Sequence, residues 1–150
     1  MRQSKIVLRL IGLLSIALAA FGLIYIGISL LLSAFPNRLT NNPPYFLPTF
    51  YVMAAAVVLI EVAIAWSGWS FVKGNVARVF PFIVACACTE ALPIIVRRLA
   101  DHPSIGHSIA AATGISTGGI YLQWAIRFPI WAPLIVLLIW WYGIGRTATT

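Results

Sequence analysis

The chain has 150 residues, of which 61% are hydrophobic and only 9% are charged. A soluble domain usually carries about a quarter charged residues, so this composition supplies too little polar surface for a water-soluble fold. Ten Lys and Arg residues against three acids give a formal net charge of +7, yet the basic residues flank apolar stretches instead of forming a patch. This distribution argues against a nucleic-acid partner and predicts a small helical protein whose partner is the lipid bilayer.

The first apolar stretch runs from Leu10 to Asn37 without a charged residue, after the basic residues Arg2, Lys5 and Arg9. It is long enough to cross about 30 Å of hydrocarbon as a helix. The apolar core of a signal peptide would be shorter and would end at a cleavage sequence of small residues. The pattern therefore predicts a retained span at about 10–34, followed by a Pro- and Asn-rich loop.

Three further spans follow, each delimited by charge, proline or aromatic residues. The second is predicted at about 47–72, and Lys73-Gly74-Asn75 closes it. The third, at about 77–97, ends at the Arg97-Arg98 pair. The fourth, at about 127–145, carries tryptophans at both ends, which is typical of membrane interfaces. The predicted fold is all-α: a four-span antiparallel transmembrane helix bundle that forms a single integral membrane domain over 1–150.

The segment 104–126 is rich in Gly, Ser, Thr and Ala and is harder to place. Gly114 and Gly118 have the small-xxx-small spacing that suits close helix contact. Three interpretations stay open: a helix packed on the bundle or lying at the interface, a fifth span, and a re-entrant loop covered by protein.

The basic residues also predict an orientation. With four spans and the N-terminus inside, six of the ten Lys and Arg residues are cytoplasmic, namely Arg2, Lys5, Arg9, Lys73, Arg78 and Arg146. This excess favours an inner (plasma) membrane protein with both termini in the cytoplasm.

Two glutamates, Glu61 and Glu90, lie near the middle of the second and third spans, where a carboxyl group is costly and therefore informative. On a helix, Glu61 shares a face with the small residues Ala54, Ala65 and Gly68, so this face is predicted to pack on a neighbouring helix. Gly114 and Gly118 are predicted to serve the same packing role in the later segment.

Because the second and third spans run in opposite directions, the two carboxyl groups are predicted to lie at similar depth, where they can meet. Two carboxyls in low dielectric cannot both ionise cheaply, so they would share a proton. One interpretation is a proton or cation relay, with Arg97 and Arg127 as candidate counter-charges. The other is a pair of buried polar groups that hold helices together, or that face another protein.

The sequence offers no catalytic set. Cys86 and Cys88 point to nearly opposite faces of a helix, and His102 and His107 lack further residues that would complete a metal site. We expect no cofactor and no metal, and enzymatic activity is disfavoured. The leading hypothesis is an accessory or scaffold subunit, or a homo-oligomer, that acts by helix association.

Two alternatives come from other functional classes. The first is a small proton-coupled transporter or channel that uses Glu61 and Glu90. The second is a lipid-directed membrane enzyme, which would require His102, His107 and Arg127 to converge near the head groups.

Overall fold

A computed structural model describes residues 2–34, 48–100 and 118–147. Over these ranges the chain forms five helices and no strand. They are α1 (Arg2–Ala34), α2 (Pro48–Val72), α3 (Val79–Ala100), α4 (Gly118–Ala125) and α5 (Phe128–Thr147). The first helix begins earlier than the predicted span, because basic residues limit a membrane span but do not stop a helix.

Length and composition decide which of these helices can cross a membrane. Gln3–Ile28 within α1 and Tyr51–Val72 within α2 are each long and apolar enough. Helices α4 and α5 meet at a bend of 66° and make a third candidate if they count as one broken span. The apolar part of α3, Val79–Ile95, is shorter. Over the described ranges the structure thus gives two or three candidate spans, and the finer prediction of four is not shown.

The most extensive helix contact joins α1 to α2, and two glycine-mediated approaches show that these helices are antiparallel. Gly12 lies against Gly68 so closely that a Cβ on Gly12 would be 2.6 Å from the Gly68 carbonyl oxygen. Ten residues later on α1, a Cβ on Gly22 would be 2.7 Å from Cδ of Glu61. Small residues allow this approach, which brings the mid-helix carboxyl of α2 against the backbone of α1.

A short turn connects α2 to α3. Gly74 has φ of +74°, a conformation that glycine adopts without steric cost, and its N–H donates to the Phe71 carbonyl at 2.8 Å. Beside the turn, the Arg78 guanidinium stacks 3.6 Å from the Trp66 ring centroid and donates to the Trp66 carbonyl at 3.0 Å. The turn therefore returns the chain directly along α2, as predicted for consecutive antiparallel helices.

Helices α4 and α5 pack antiparallel to α3, because later residues of α4 and α5 contact earlier residues of α3. Trp124 contacts Glu90, and two later ring pairs lie edge to face: the ring centroids of Phe82 and Phe128 are 6.0 Å apart, and those of Phe80 and Trp140 are 5.6 Å apart. At the bend, Arg127 has φ of +54°, and its N–H donates to the Trp124 carbonyl at 3.0 Å.

The interior contains two separate hydrophobic clusters. The larger one joins α1, α2, α3 and α5 and includes Ile64, Phe71 and Phe82. The smaller one joins α1, α2, α3 and α4 and consists of one buried residue from each: Ile26, Val57, Leu92 and Ile120. Large apolar side chains also cover the outside of the helices; examples are Ile24, Leu59, Val84, Leu138 and Trp141. A surface of this kind is what lipid tails solvate and water does not.

Candidate functional site

A layer of polar side chains separates the two hydrophobic clusters. We call it the polar layer, and its members are Glu61 of α2, Glu90 of α3, and Gln123 and Trp124 of α4. On α2, Glu61 lies between Val57 of the smaller cluster and Ile64 of the larger one. On α3, Glu90 lies between Leu92 of the smaller cluster and Cys86 of the larger one. Gln123 and Trp124 follow Ile120 of the smaller cluster and precede Phe128 of the larger one, which is on α5. The layer therefore crosses the interior of the described part at a single level.

Glu61 has no exposed surface. Its Oε2 accepts a hydrogen bond of 2.7 Å from Nε2 of Gln123, which is also fully buried. Its Oε1 lies against two glycine backbones: a Cβ on Gly22 would overlap Oε1, and a Cβ on Gly119 would be 3.3 Å from it. No hydrogen-bond donor reaches this Oε1 within the described residues.

Glu90 of α3 is partly exposed, and its partner on α4 is Trp124, the residue after Gln123. Trp124 donates its indole N–H to Glu90 Oε2 at 2.9 Å, and Glu90 Oε1 has no hydrogen-bond partner in the described part of the chain. Each carboxyl thus has one oxygen held by α4 and one unpartnered oxygen. The glutamates do not hydrogen-bond to each other; α4 links them through two consecutive side chains.

The position of α4 follows from its glycine and its amide. Gly119 is in direct contact with the backbone of Gly22, and a Cβ at this position would overlap the Gly22 Cα. One turn later, Gln123 faces α2 and Trp124 faces α3, since consecutive residues of a helix point in different directions. A glycine contact and two polar contacts therefore fix this eight-residue helix on three others.

The remaining nearby chemistry is limited. The Cys86 thiol is buried and interacts electrostatically with both carboxyl groups, whereas Cys88 is exposed. Across the described ranges, His, Cys, Asp and Glu form no group of three or more that could hold a metal ion. Thr89 and Ser15 are both buried, and each hydroxyl group donates a hydrogen bond to a backbone carbonyl of its own helix, at 3.0 and 2.7 Å respectively.

The small residues predicted for helix packing have different positions. Ala54 and Gly68 are buried, and Ala65 is half-buried against the larger cluster. A Cβ on Gly68 would be 2.8 Å from the Gly12 carbonyl oxygen, so this glycine lies at the closest approach to α1. Gly118 is the first residue of α4. Gly114 lies outside the described residues.

Of the two candidate counter-charges, the structure describes only the side chain of Arg127, which is not brought to Glu61. Arg127 is exposed at the bend between α4 and α5. Arg97 belongs to α3, but its side chain lies outside the described residues, as do His102 and His107. In place of a cation, the structure brings an amide to one carboxyl and an indole to the other.

Sequence reasoning missed Gly22, Gly119, Gln123 and Trp124. The glycine contacts join single residues on distant helices, so no spacing within one helix reveals them. Gln123 did carry a usable signal: it is an amide inside an otherwise apolar stretch, and a buried amide requires a polar partner. Trp124 was interpreted only as an interfacial aromatic residue, although its indole N–H also requires an acceptor when it is removed from water.

No protein-family model, no curated protein and no solved structure matches this chain. The features of the chain that bear on its function are therefore the geometry of the polar layer and the outer surface of the helices.

Proposed function

We propose that the chain is a small multi-pass protein of the inner membrane, in which α1, α2, α3 and the bent pair α4 and α5 form four antiparallel passes. The observation that carries this proposal is the distribution of side chains. Large apolar residues are exposed on the outer sides of the helices, while Glu61 and Gln123 are fully buried. A water-soluble protein has the opposite distribution.

The proposed orientation has both termini in the cytoplasm. The α2–α3 turn carries Lys73 and Arg78, which lie on the rings of Trp69 and Trp66. Tryptophans at head-group level together with basic residues are typical of a cytoplasmic membrane boundary. Fusion of a reporter that is active on only one side of the membrane to each terminus tests this orientation, and a periplasmic signal from either terminus contradicts it.

We further propose that the protein acts by association, either with another membrane protein or with a second copy of itself. The supporting observation is a row of small residues on the exposed side of α1, formed by Ala17, Ala20 and Gly27. Apart from neighbouring parts of α1 itself, no described residue lies within 4 Å of the place that a Cβ on Gly27 would occupy. Small outward residues allow a further helix to approach closely in a bilayer, where apolar burial alone gives no driving force.

Co-purification of two differently tagged copies from mild detergent, followed by native mass spectrometry, tests the association. Ala20→Trp should abolish the complex, because the indole would hold a partner helix away from α1. Val84→Trp, at an exposed position of α3, is the matched control and should leave the complex intact. A monodisperse monomer that carries no partner contradicts the proposal.

A second candidate function is proton-coupled transport, and a specific observation favours it. Glu61 Oε1, Gln123 Oε1 and Glu90 Oε1 are three buried oxygen atoms of one layer, and none of them has a donor among the described residues. Buried acceptors without donors are costly and are common where a proton or an ion binds. Reconstitution into vesicles that contain a pH-sensitive dye tests this role. Unchanged proton flux in Glu61→Gln and Glu90→Gln eliminates it.

A further inference from the structure

The unusual feature of the polar layer is the pairing of Glu61 with a neutral partner. Both side chains of the Glu61–Gln123 pair have no exposed surface, and the pair contains two unpartnered oxygens, Glu61 Oε1 and Gln123 Oε1. An ionised carboxylate that is removed from water requires a cation or several donors. Here the described residues supply a single amide N–H, at 2.7 Å. The geometry fits a neutral carboxylic acid better than a carboxylate.

A metal ion does not fit this position. Hard cations take about six to eight oxygen ligands in proteins, whereas the acidic, His and Cys residues of the described ranges form no group that could hold one. Glycine backbones also close on Oε1, because a side chain on Gly22 would overlap this oxygen and one on Gly119 would be within 3.3 Å of it. A proton needs no such ligand shell.

The groups that face Glu61 come from three helices. Helix α3 contributes the Cys86 thiol, and Glu90 of the same helix also interacts electrostatically with that thiol. Helix α4 contributes Gly119 and the neutral amide of Gln123, and α1 contributes the backbone of Gly22. Among these neighbours there is no positive charge that would favour the ionised form of Glu61.

We propose that Glu61 is a proton-binding site: Oε1 carries an exchangeable proton while Oε2 accepts the hydrogen bond from Gln123. When the proton leaves Oε1 for water, the carboxylate that remains is buried with one donor, and separation of α4 from α2 then admits water to it. Proton binding is thereby coupled to the docking of α4. The proposal rests on the proposed membrane setting, but it is an equilibrium property and does not require that protons cross the bilayer.

Infrared difference spectroscopy of the full chain in lipid membranes, recorded over a pH series, tests this site. A buried, protonated carboxyl group gives a C=O stretching band that is separate from the amide and carboxylate bands. We expect such a band, a downshift of the band in deuterium oxide, and its loss as the pH is raised. The band should be absent in Glu61→Gln and retained in Glu90→Gln.

A second variant tests the hydrogen bond from Gln123 to Glu61, in addition to the presence of the protonated Glu61 carboxyl group. Gln123→Leu removes the donor to Oε2, so the band should remain dependent on Glu61 and move to higher frequency. Three results overturn the proposal: no Glu61-dependent band at any pH, a band that neither titrates nor exchanges with deuterium, or loss of the band on addition of sodium at constant pH. Alkaline carbonate extraction of the same membranes tests the membrane setting separately, because a protein that is not integral is released by this treatment.

Discussion

The contact between Gly12 and Gly68 gives the sharpest prediction for stability, namely that Gly12→Ala destabilises the bundle. A Cβ on Gly12 would lie 2.6 Å from the Gly68 carbonyl oxygen and 2.8 Å from the Val72 nitrogen. Both atoms belong to the backbone, so the clash is relieved only if α1 and α2 move apart. Such overpacking typically costs about 1–3 kcal/mol, and the upper end applies here because no flexible side chain can yield.

Gly27→Ala on the same helix is the matched control. Both substitutions gain up to about 1 kcal/mol of helix propensity, but among the residues that the structure describes, none outside this part of α1 lies within 4 Å of the added methyl group at Gly27. We therefore expect Gly12→Ala to lose about 2 kcal/mol relative to the native chain, from a clash of about 3 kcal/mol less the propensity gain. Gly27→Ala should be neutral or stabilising, so the two variants should differ by about a hundredfold in the equilibrium constant of unfolding.

Reversible unfolding in mixed detergent micelles, followed by circular dichroism, measures this difference. Adding Gly68→Ala to Gly12→Ala provides an internal test, because helices that have already separated lose less from the second methyl group. The double variant should therefore be less destabilised than the sum of the single variants. Equal stabilities for Gly12→Ala and Gly27→Ala would refute the close packing of α1 on α2.

Three further substitutions test the polar contacts by the same unfolding assay. Gln123→Leu leaves Glu61 Oε2 buried without its donor, so we expect a loss of about 1–3 kcal/mol. Trp124→Phe keeps an aromatic ring but removes the indole N–H that binds Glu90; because this contact is partly exposed, the expected loss is smaller, about 1 kcal/mol. Arg78→Gln removes the cation that stacks on an indole at the α2–α3 turn, and about 0.5–1 kcal/mol should be lost.

A substitution at an exposed position supplies the control for these variants. Gln3→Leu replaces an exposed amide on α1, and its unfolding midpoint should stay at the native value. If Gln123→Leu behaves in the same way as Gln3→Leu, the buried amide does not stabilise the packing of α4. Thiol labelling of the folded protein in detergent with a membrane-permeable reagent offers a separate check of the α3 orientation: the outward-facing Cys88 should react faster than the buried Cys86, which should react only after unfolding.

Local patterns in the sequence predicted the main helices well, and the reason is physical. Charges, prolines and glycines limit apolar stretches, so helices lie in each of the four segments predicted as spans. Pro129 and Pro133 are a local sequence signal for a disturbed start of α5, although the residue in the left-handed conformation at the bend is Arg127. The described helices give two or three candidate spans instead of the predicted four, since the apolar part of α3 is short.

The polar layer was only partly predictable. Glu61 and Glu90 were recognisable because ionisable groups in apolar helices are rare. Their partners were not, since Gln123 and Trp124 come from a segment whose Gly, Ser and Thr content gives no helix pattern. The hypothesis that the carboxyls share one proton assumed direct contact, whereas each carboxyl binds its own neighbour on α4. Which distant residues meet is decided by tertiary packing, and a single sequence does not encode it in a local pattern.

The order in which the ribosome makes these helices gives the polar layer a further consequence. Glu61 is synthesised in the first half of the chain, while the amide that binds it comes from α4, more than sixty positions later. A nascent chain that has formed α1, α2 and α3 therefore holds an acid without its donor until the last quarter of the chain is made. In the proposed membrane setting, we expect chains that terminate before α4 to leave this polar group without its partner and to be less stable than the 150-residue chain.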